Sequence, residues 1–344
     1  MPISEPDRDD PTNDIDPLIL QALRGLPRDF ADFPRVFQDE LQPALRANEQ
    51  ARANAANQAR KMAWLGGVVG VLGVVLGVGV FRVPQFAIVA GIVGFGIAGA
   101  GRTPLNRIAR EAKAMLIAPV AARFDLDFIP NPGAQHTISD IYRAGLLPRW
   151  DRAEYEDRLT GQRNGVAFEF FEAHLEQKRT SRDQNGHSRT RWVTAFRGQC
   201  LRFRFHKSFH SRTLVLRDAG ILNRFGGGNG LTRARLESPA FEKSFEVYTN
   251  DQVEARYLLT PDLMERLNEL EKVFRGGALR CAFIDGEMLI ALEGGDLFEP
   301  GSMFTPLDNP ERVRELLDDF AAIFNLIDSF ADPADLLSAN RIID

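Results

Sequence analysis

Apolar residues are spread very unevenly along this 344-residue chain. Met62 to Phe81 read MAWLGGVVGVLGVVLGVGVF and Val83 to Gly101 read VPQFAIVAGIVGFGIAGAG, both without a charged side chain. Runs of about twenty such residues match the length at which a helix crosses a hydrocarbon core of about 30 Å. Only Arg82 separates them, so the pattern predicts a transmembrane helical hairpin over 62–101. Pro84 sits at the start of the second span, where its missing N–H costs little. Gly66, Gly67, Gly70, Gly73, Gly77 and Gly79 stud the first run, and Gly91, Gly94, Gly96, Gly99 and Gly101 the second. Small residues let helix backbones approach closely in lipid, which predicts packing within the hairpin and a homo-oligomeric contact through the same spans. A secretory signal fits poorly, because the first run begins more than sixty residues in, after an acidic stretch. A buried hairpin inside a soluble protein is the other alternative, and two adjacent uncharged runs of this length argue against it.

The flanks read as helices. Residues 1–15 are acidic and Pro-containing, an expected disordered tail, and Asp16 to Leu26 suit a short amphipathic helix within an N-terminal cytosolic segment 16–61. Phe37 to Arg60 is polar, Ala-rich and Gly-free, a helix running into the first span. Thr103-Pro104 reads as an N-cap followed by Pro at the first helical position, opening a juxtamembrane helix within 102–130 that bends at Pro119. The two flanking helices are expected to pair as a short antiparallel stalk. Arg60 and Lys61 precede the hairpin and Arg102, Arg107, Arg110 and Lys113 follow it. With Arg82 alone in the loop, the positive-inside rule places both termini in the cytosol.

After Asn131-Pro132-Gly133 the period changes. Ile138 to Ala144 suits a helix. VAFEF, from Val166, alternates in one phase and FEAHLEQ in the other, which predicts a bulge near Phe171 and places Glu172, His174 and Glu176 outward. Asn185-Gly186 is a hairpin-turn signal inside a long turn from Lys178 to Arg191. Strands are expected at Arg191–Phe196, Cys200–Phe205, Thr213–Leu216, Phe245–Tyr248 and Val253–Leu259. A helix from Thr260-Pro261-Asp262, a hairpin around Asp285-Gly286 and a final amphipathic helix from Pro310 to about Phe330 complete a cytosolic domain over 131–330. The expected class is α+β, mostly antiparallel sheet with added helices. A two-sheet barrel of the pleckstrin-homology type is one arrangement that fits, and 331–344 is a C-terminal tail.

Charge adds one feature to this outline. The formal net charge is −5, yet Lys178 to Arg217 holds eleven Lys or Arg residues against the single acid Asp183. Leu231 to Asp344 carries 23 acids and 11 basic residues, so most of the basic charge is expected to balance acidic helices within the fold. The turn bearing Arg179, Arg182, Arg189 and Arg191 is less easily internalised. It is the candidate contact with an anionic surface. Nucleic acid is not an expected partner: the chain is acidic and carries no helix-turn-helix, zinc-finger or RNA-recognition signature.

Catalytic patterns are missing. Cys200 and Cys281 are the two cysteines, far apart, which argues against a disulfide framework or a Cys-rich zinc site. His206 and His210 lie four apart without an evident third ligand, so no metal is expected. FGGGNG at Phe225 to Gly230 lacks the GK[ST] ending of a phosphate loop. No GxSxG, HExxH or kinase set is present. Asp157, Asp251 and Glu254 are acids near turns, expected to be solvated rather than paired for catalysis. No cofactor is implied.

YEDRLTG (Tyr155 to Gly161), FEFFEAHLE (Phe168 to Glu176), FRGQCLRFRFHKSFHSRTLVLRD (Phe196 to Asp218), LESPAFEKSFEVYTNDQVEARYLLTP (Leu236 to Pro261) and FIDGEMLIAL (Phe283 to Leu292) resemble the bacterial family called domain of unknown function 3137. The resemblance covers about Phe33 to Phe330, most specifically in FEVYTNDQVEARYLLTP. It implies a membrane hairpin joined to a cytosolic domain in a bacterium and brings no activity or catalytic residue with it. The leading expectation is a non-enzymatic inner-membrane protein that anchors a cytosolic domain binding a protein partner or the lipid surface. The rivals are a membrane-tethered enzyme with a site assembled from distant residues and an accessory subunit of a membrane complex.

Overall fold

The computed structural model describes residues 15–80, 83–182, 188–217, 230–273, 278–299 and 301–330. The acidic tail before Ile15, Arg82, the Asn185-Gly186 turn, FGGGNG apart from Gly230, and the tail 331–344 lie outside the described residues. The chain divides into two compact units, Met1–Pro119 with Phe298–Phe320, and Val120–Leu297 with Ala321–Asp344.

The first unit is helical. Helix α1 (Pro17–Ala22) is capped by Asp16, whose carboxylate accepts the Leu18 N–H. Helix α2 (Phe33–Val36) passes through a π-turn at Phe37–Leu41 into α3 (Gln42–Val74), with Pro43 in its first turn. A further π-segment extends the helix to Val80. The second apolar run forms α4 (Pro84–Ala100), and α5 (Thr103–Arg123) follows, with Pro119 inside it. Thr103 is therefore the first helical residue of α5 rather than its cap.

Helices α3 and α4 lie against each other through glycine. Between Met62 and Gly101 the buried described residues are Gly66, Gly77, Gly94 and Gly101. A Cβ on Gly66 would overlap the Gly94 carbonyl, and one on Gly73 would overlap the Ala90 methyl, whereas Gly67, Gly70 and Gly96 face open space. The large side chains point away from the contact: Trp64 is 72% exposed and Phe95 83%.

Polar groups bind the segment 298–309 to α3. Arg52 donates to the Met303 carbonyl (2.8 Å) and to Glu49, which accepts the Leu307 N–H at 3.0 Å. Burial pushes the Glu49 carboxyl up, but the hydrogen bonds from Arg52 and Leu307 and the nearby Arg52 and Arg312 charges outweigh it and hold the group low. Asn48 Nδ2 reaches Met115 Sδ of α5 at 3.4 Å. Of the basic residues expected to set topology, Arg60, Lys61, Arg102, Arg107 and Arg110 are exposed. Lys113 is buried and faces Glu299 at 4.0 Å, so it serves packing rather than an exposed flank.

The second unit holds a nine-stranded antiparallel sheet in the order β1-β2-β3-β4-β9-β8-β5-β7-β6. In chain order the elements are β1 (Asp127–Ile129), α6 (His136–Arg143), β2 (Arg152–Arg163), β3 (Val166–Arg182), β4 (Ser188–Arg204), β5 (Thr213–Arg217) and β6 (Thr232–Ala234). There follow α7 (Pro239–Glu242), β7 (Phe245–Thr249), α8 (Gln252–Leu258), α9 (Pro261–Val273), β8 (Leu279–Ile284), β9 (Glu287–Glu293) and α10 (Pro310–Asp328), which begins in the first unit. The class is α+β. The ladders form one continuous series with β1 and β6 at its ends, and no pairing joins those ends among the described residues.

Both faces of the sheet are covered. Phe171, Ala173, Leu175, Cys200 and Leu289 pack with Ile138 and Ile141 of α6. On the opposite face Phe203 stacks on Phe330, with ring centroids 5.5 Å apart. Phe170 and Phe171 are consequently both buried, and β3 runs straight through the expected phase slip. The bulge lies in its partner instead, where Asp157 and Arg158 of β2 oppose Phe171 between the pairs Glu156↔Glu172 and Leu159↔Phe170. The segment expected as a strand at Val253–Leu259 is helix α8, because Asp251 accepts the Val253 and Glu254 N–H groups as an N-cap.

Candidate functional site

Strands β3 and β4, each of 17 residues, outrun their neighbours. Pairing of β2 with β3 begins at Arg152↔Glu176, and pairing of β4 with β9 begins at Gly198↔Glu293. Gly198 has φ +151°, and a Cβ there would strike the Leu292 carbonyl, so glycine allows β9 its approach. A register shift leaves Ala195 unpaired between Leu175↔Phe196 and Glu176↔Thr194. Beyond that point the hairpin continues as a two-stranded ribbon, 177–182 against 188–193. Six residues at about 3.3 Å each extend it by about 20 Å. What the sequence reads as a long turn from Lys178 to Arg191 is thus mostly ladder.

The ribbon gathers all four sequence-predicted contact residues. Arg179 faces Arg191 and Ser181 faces Arg189, so three arginines share one face. Lys178 opposite Trp192 and Arg182 opposite Ser188 lie on the other, with the Thr180 and Thr190 hydroxyls in contact at 3.2 Å. Every residue from Lys178 to Arg182 and from Ser188 to Trp192 is exposed. The described ribbon carries no carboxylate. At its base Asp151 accepts the Lys178 N–H, and Arg152 pairs with Glu176 while lying 4.6 Å from the Trp192 ring centre.

A half-open cavity of about 500 Å³ is lined by Asp140, Arg143, Arg202, Arg212, Asp285 and Glu287. Asp140 bridges Arg143 and Arg202, and Glu287 pairs with Arg202 at 2.7 Å. Arg212 donates to the Arg143 and Ala144 carbonyls that end α6. Asp140, Arg143, Arg202, Arg212 and Glu287 are thus engaged within its wall.

Sequence reasoning placed Glu172 outward, but it is 4% exposed. Its Oε1 accepts the Leu297 N–H at 2.6 Å and the Gln199 amide at 3.3 Å, while Oε2 is sealed without a hydrogen bond. Burial pushes its pKa up to about 9, and the neighbouring Asp157 and Asp296 charges add to the rise. Asp157, expected to be solvated, is fully buried at the bulge with φ +55°. The adjacent phenylalanines Phe170 and Phe171 were the available signal that both sheet faces are covered. Glu176, also expected outward, is buried against Arg152.

The remaining candidates are structural. Asp251 is the α8 cap. Glu254 accepts the His210 N–H at 3.0 Å and bonds to Ser211, and these hydrogen bonds hold its carboxyl low. Asn250 Oδ1 accepts the Arg212 N–H at 2.9 Å. The TNDQVE portion of the family-like segment therefore pins the chain before β5. His206 Nδ1 meets the Phe330 carbonyl at 3.0 Å, His174 is half-buried beside Thr194, and no cluster of three or more metal-ligating residues occurs among the described residues. Cys200 and Cys281 are free thiols whose burial pushes their pKa up, which makes them poor nucleophiles.

These features define a class: an α+β sheet domain, joined in one chain to two long apolar helices, that extends an exposed basic ribbon. Residues 194–331 match the family model described as Protein of unknown function (DUF3137), which supports the family resemblance read from the sequence. The match begins just after the ribbon residue Val193 and does not include the apolar helices. No curated protein matches the chain. A crystal structure of the mycobacterial trehalose monomycolate transport factor A, TtfA, aligns with 9% identity and a TM-score of 0.33, covering 62% of this chain and 95% of that one. A likeness of that degree carries neither fold nor function across.

Proposed function

We propose that this chain is a two-span protein of the bacterial inner membrane, with both termini in the cytosol, whose sheet domain is a binding module for a protein partner or an anionic lipid surface. One observation carries the reading: in the apolar hairpin Gly66, Gly77 and Gly94 are buried while large apolar side chains such as Trp64, Ile92 and Phe95 face outward. Water would oppose so large a continuous apolar surface, whereas a bilayer would match it. Both helices are long and apolar enough to cross a membrane. The exposed Arg60, Lys61, Arg102, Arg107 and Arg110 support the orientation through the positive-inside rule. The outward-facing Gly67, Gly70 and Gly96 are compatible with a further helix contact in the membrane, including one with a second copy. The enzyme alternative gains little from the cavity, because Asp140 and Glu287 already hold Arg143 and Arg202 in ion pairs.

The test is extraction of membranes with alkaline carbonate, combined with a cytosol-active reporter at the C-terminus. The full chain is expected in the pellet with an active reporter. Recovery of full-length protein in the supernatant without detergent would overturn the spans, and a reporter active only in the periplasm would overturn the orientation.

A further inference from the structure

We propose that the ribbon formed by 177–182 and 188–193 is a phosphate-gripping arm that docks on an anionic lipid surface. The inference rests on the two-span reading and deepens it by naming the ligand chemistry of the sheet domain.

The ribbon's own chemistry supplies the argument. Like charges directly opposite each other weaken a ladder, yet Arg179 and Arg191 are register partners. Arg189 lies two residues along on the same face, opposite Ser181, and the described ribbon holds no acid to relieve the repulsion. A cavity of about 710 Å³ lies among Arg179, Thr180, Ser181, Arg189, Thr190 and Arg191. Guanidinium forks bind phosphate oxygens in pairs, so bound phosphates would turn this repulsion into cross-linking. Asp151 and Glu176 sit at the base and are engaged there by the Lys178 N–H and by Arg152. Among the described residues no carboxylate pairs with Arg179, Arg189 or Arg191.

Two further facts favour lipid over the phosphate chain of a nucleic acid. The protein as a whole is acidic, with a formal net charge of −5, so it lacks the broad positive field that draws nucleic acid. Trp192, 41% exposed and stacked on Arg152, is of the residue type that settles at the membrane–water interface.

The experiment uses the full chain in phosphatidylcholine nanodiscs, floated with vesicles of phosphatidylglycerol or of phosphatidylcholine. Binding is expected only to the phosphatidylglycerol vesicles and should weaken with salt. Arg191→Glu places opposite charges across the ladder, so it strengthens the ribbon's pairing while removing two units of positive charge. It is expected to weaken vesicle binding by at least about tenfold, since each basic residue near such a surface contributes about fivefold. Arg256→Gln, an exposed position on α8 outside the ribbon, is expected to leave binding unchanged. Equal binding by Arg191→Glu and the parent protein would overturn the arm, as would equal binding to both vesicle types. Binding of soluble polyphosphate or RNA in preference to phosphatidylglycerol vesicles would overturn the lipid assignment. If the chain proves extractable without detergent, the span reading fails, and the same vesicle comparison, run in buffer, still decides the arm.

Discussion

The hairpin and the sheet domain solve opposite packing problems with the same apolar alphabet. In the sheet domain, Phe170, Phe171, Phe203 and Phe283 are sealed inside, while arginines occupy the surface and the ribbon. In the hairpin the interior belongs to Gly66, Gly77 and Gly94, while Trp64, Ile92 and Phe95 point outward. Water rewards burying large side chains. Lipid offers no such reward between helices, so close backbone contact decides the packing there. On the two-span proposal, solvent more than composition sets which residues turn inward in the hairpin and in the sheet.

The strongest challenge to this contrast is a matched pair of truncations. Phe171→Ala should cost about 3–5 kcal/mol of domain stability, because a fully buried ring leaves a cavity. Phe95→Ala should change stability in detergent far less. Thermal unfolding of both variants in the same micelles is the measurement, and equal losses would erase the distinction. A second pair sharpens the hairpin side. Gly66→Leu would drive a side chain into the Gly94 backbone and should cost about 1–3 kcal/mol or more, whereas Gly67→Leu meets open space. Protease resistance of the reconstituted protein reads both, and a Gly66 variant as resistant as the parent would refute glycine-mediated contact.

The same contrast explains what could be read from the sequence. The hairpin was legible because its boundaries are written in charge. Helix α10 and the β8–β9 hairpin were legible because amphipathic spacing and Asp285-Gly286 carry local signals. In the turn those two residues have φ of +52° and +78°. Strand β2, RAEYEDRLTGQR, was passed over because its charged residues and a bulge at Asp157 break the alternation. Helix α8 reads as a strand in the sequence because its helical start depends on one side chain, the Asp251 cap. The ribbon's residues were identifiable by charge alone, but their division between two faces needed the register. Glu172 was hidden because a sheet covered on both sides gives no alternation from which to tell inward from outward.

Glu172 also yields the subtlest expected effect. Its folded-state pKa, about 9, lies above the ordinary carboxyl value, so the folded domain keeps a proton that the unfolded chain releases. The folded state then binds more protons between the two values. Stability is therefore fully present below the unfolded-state pKa and is lost as pH rises toward about 9, by at most about 1.4 kcal/mol per pH unit. Glu172→Gln imitates the protonated side chain: its oxygen still accepts from Leu297 N–H and Gln199, and its NH₂ takes the place of the protonated Oε2. The variant should lose that alkaline slope and unfold at a higher temperature than the parent at pH above neutrality, with little difference at acid pH. Midpoints of the thermal transition across pH, followed through Trp150, which packs edge-on against Tyr142 in the same unit, give the comparison. Parallel pH profiles for the two proteins would mean that Glu172 is ionised in the fold, with solvent or a counter-charge reaching an oxygen that the geometry shows sealed.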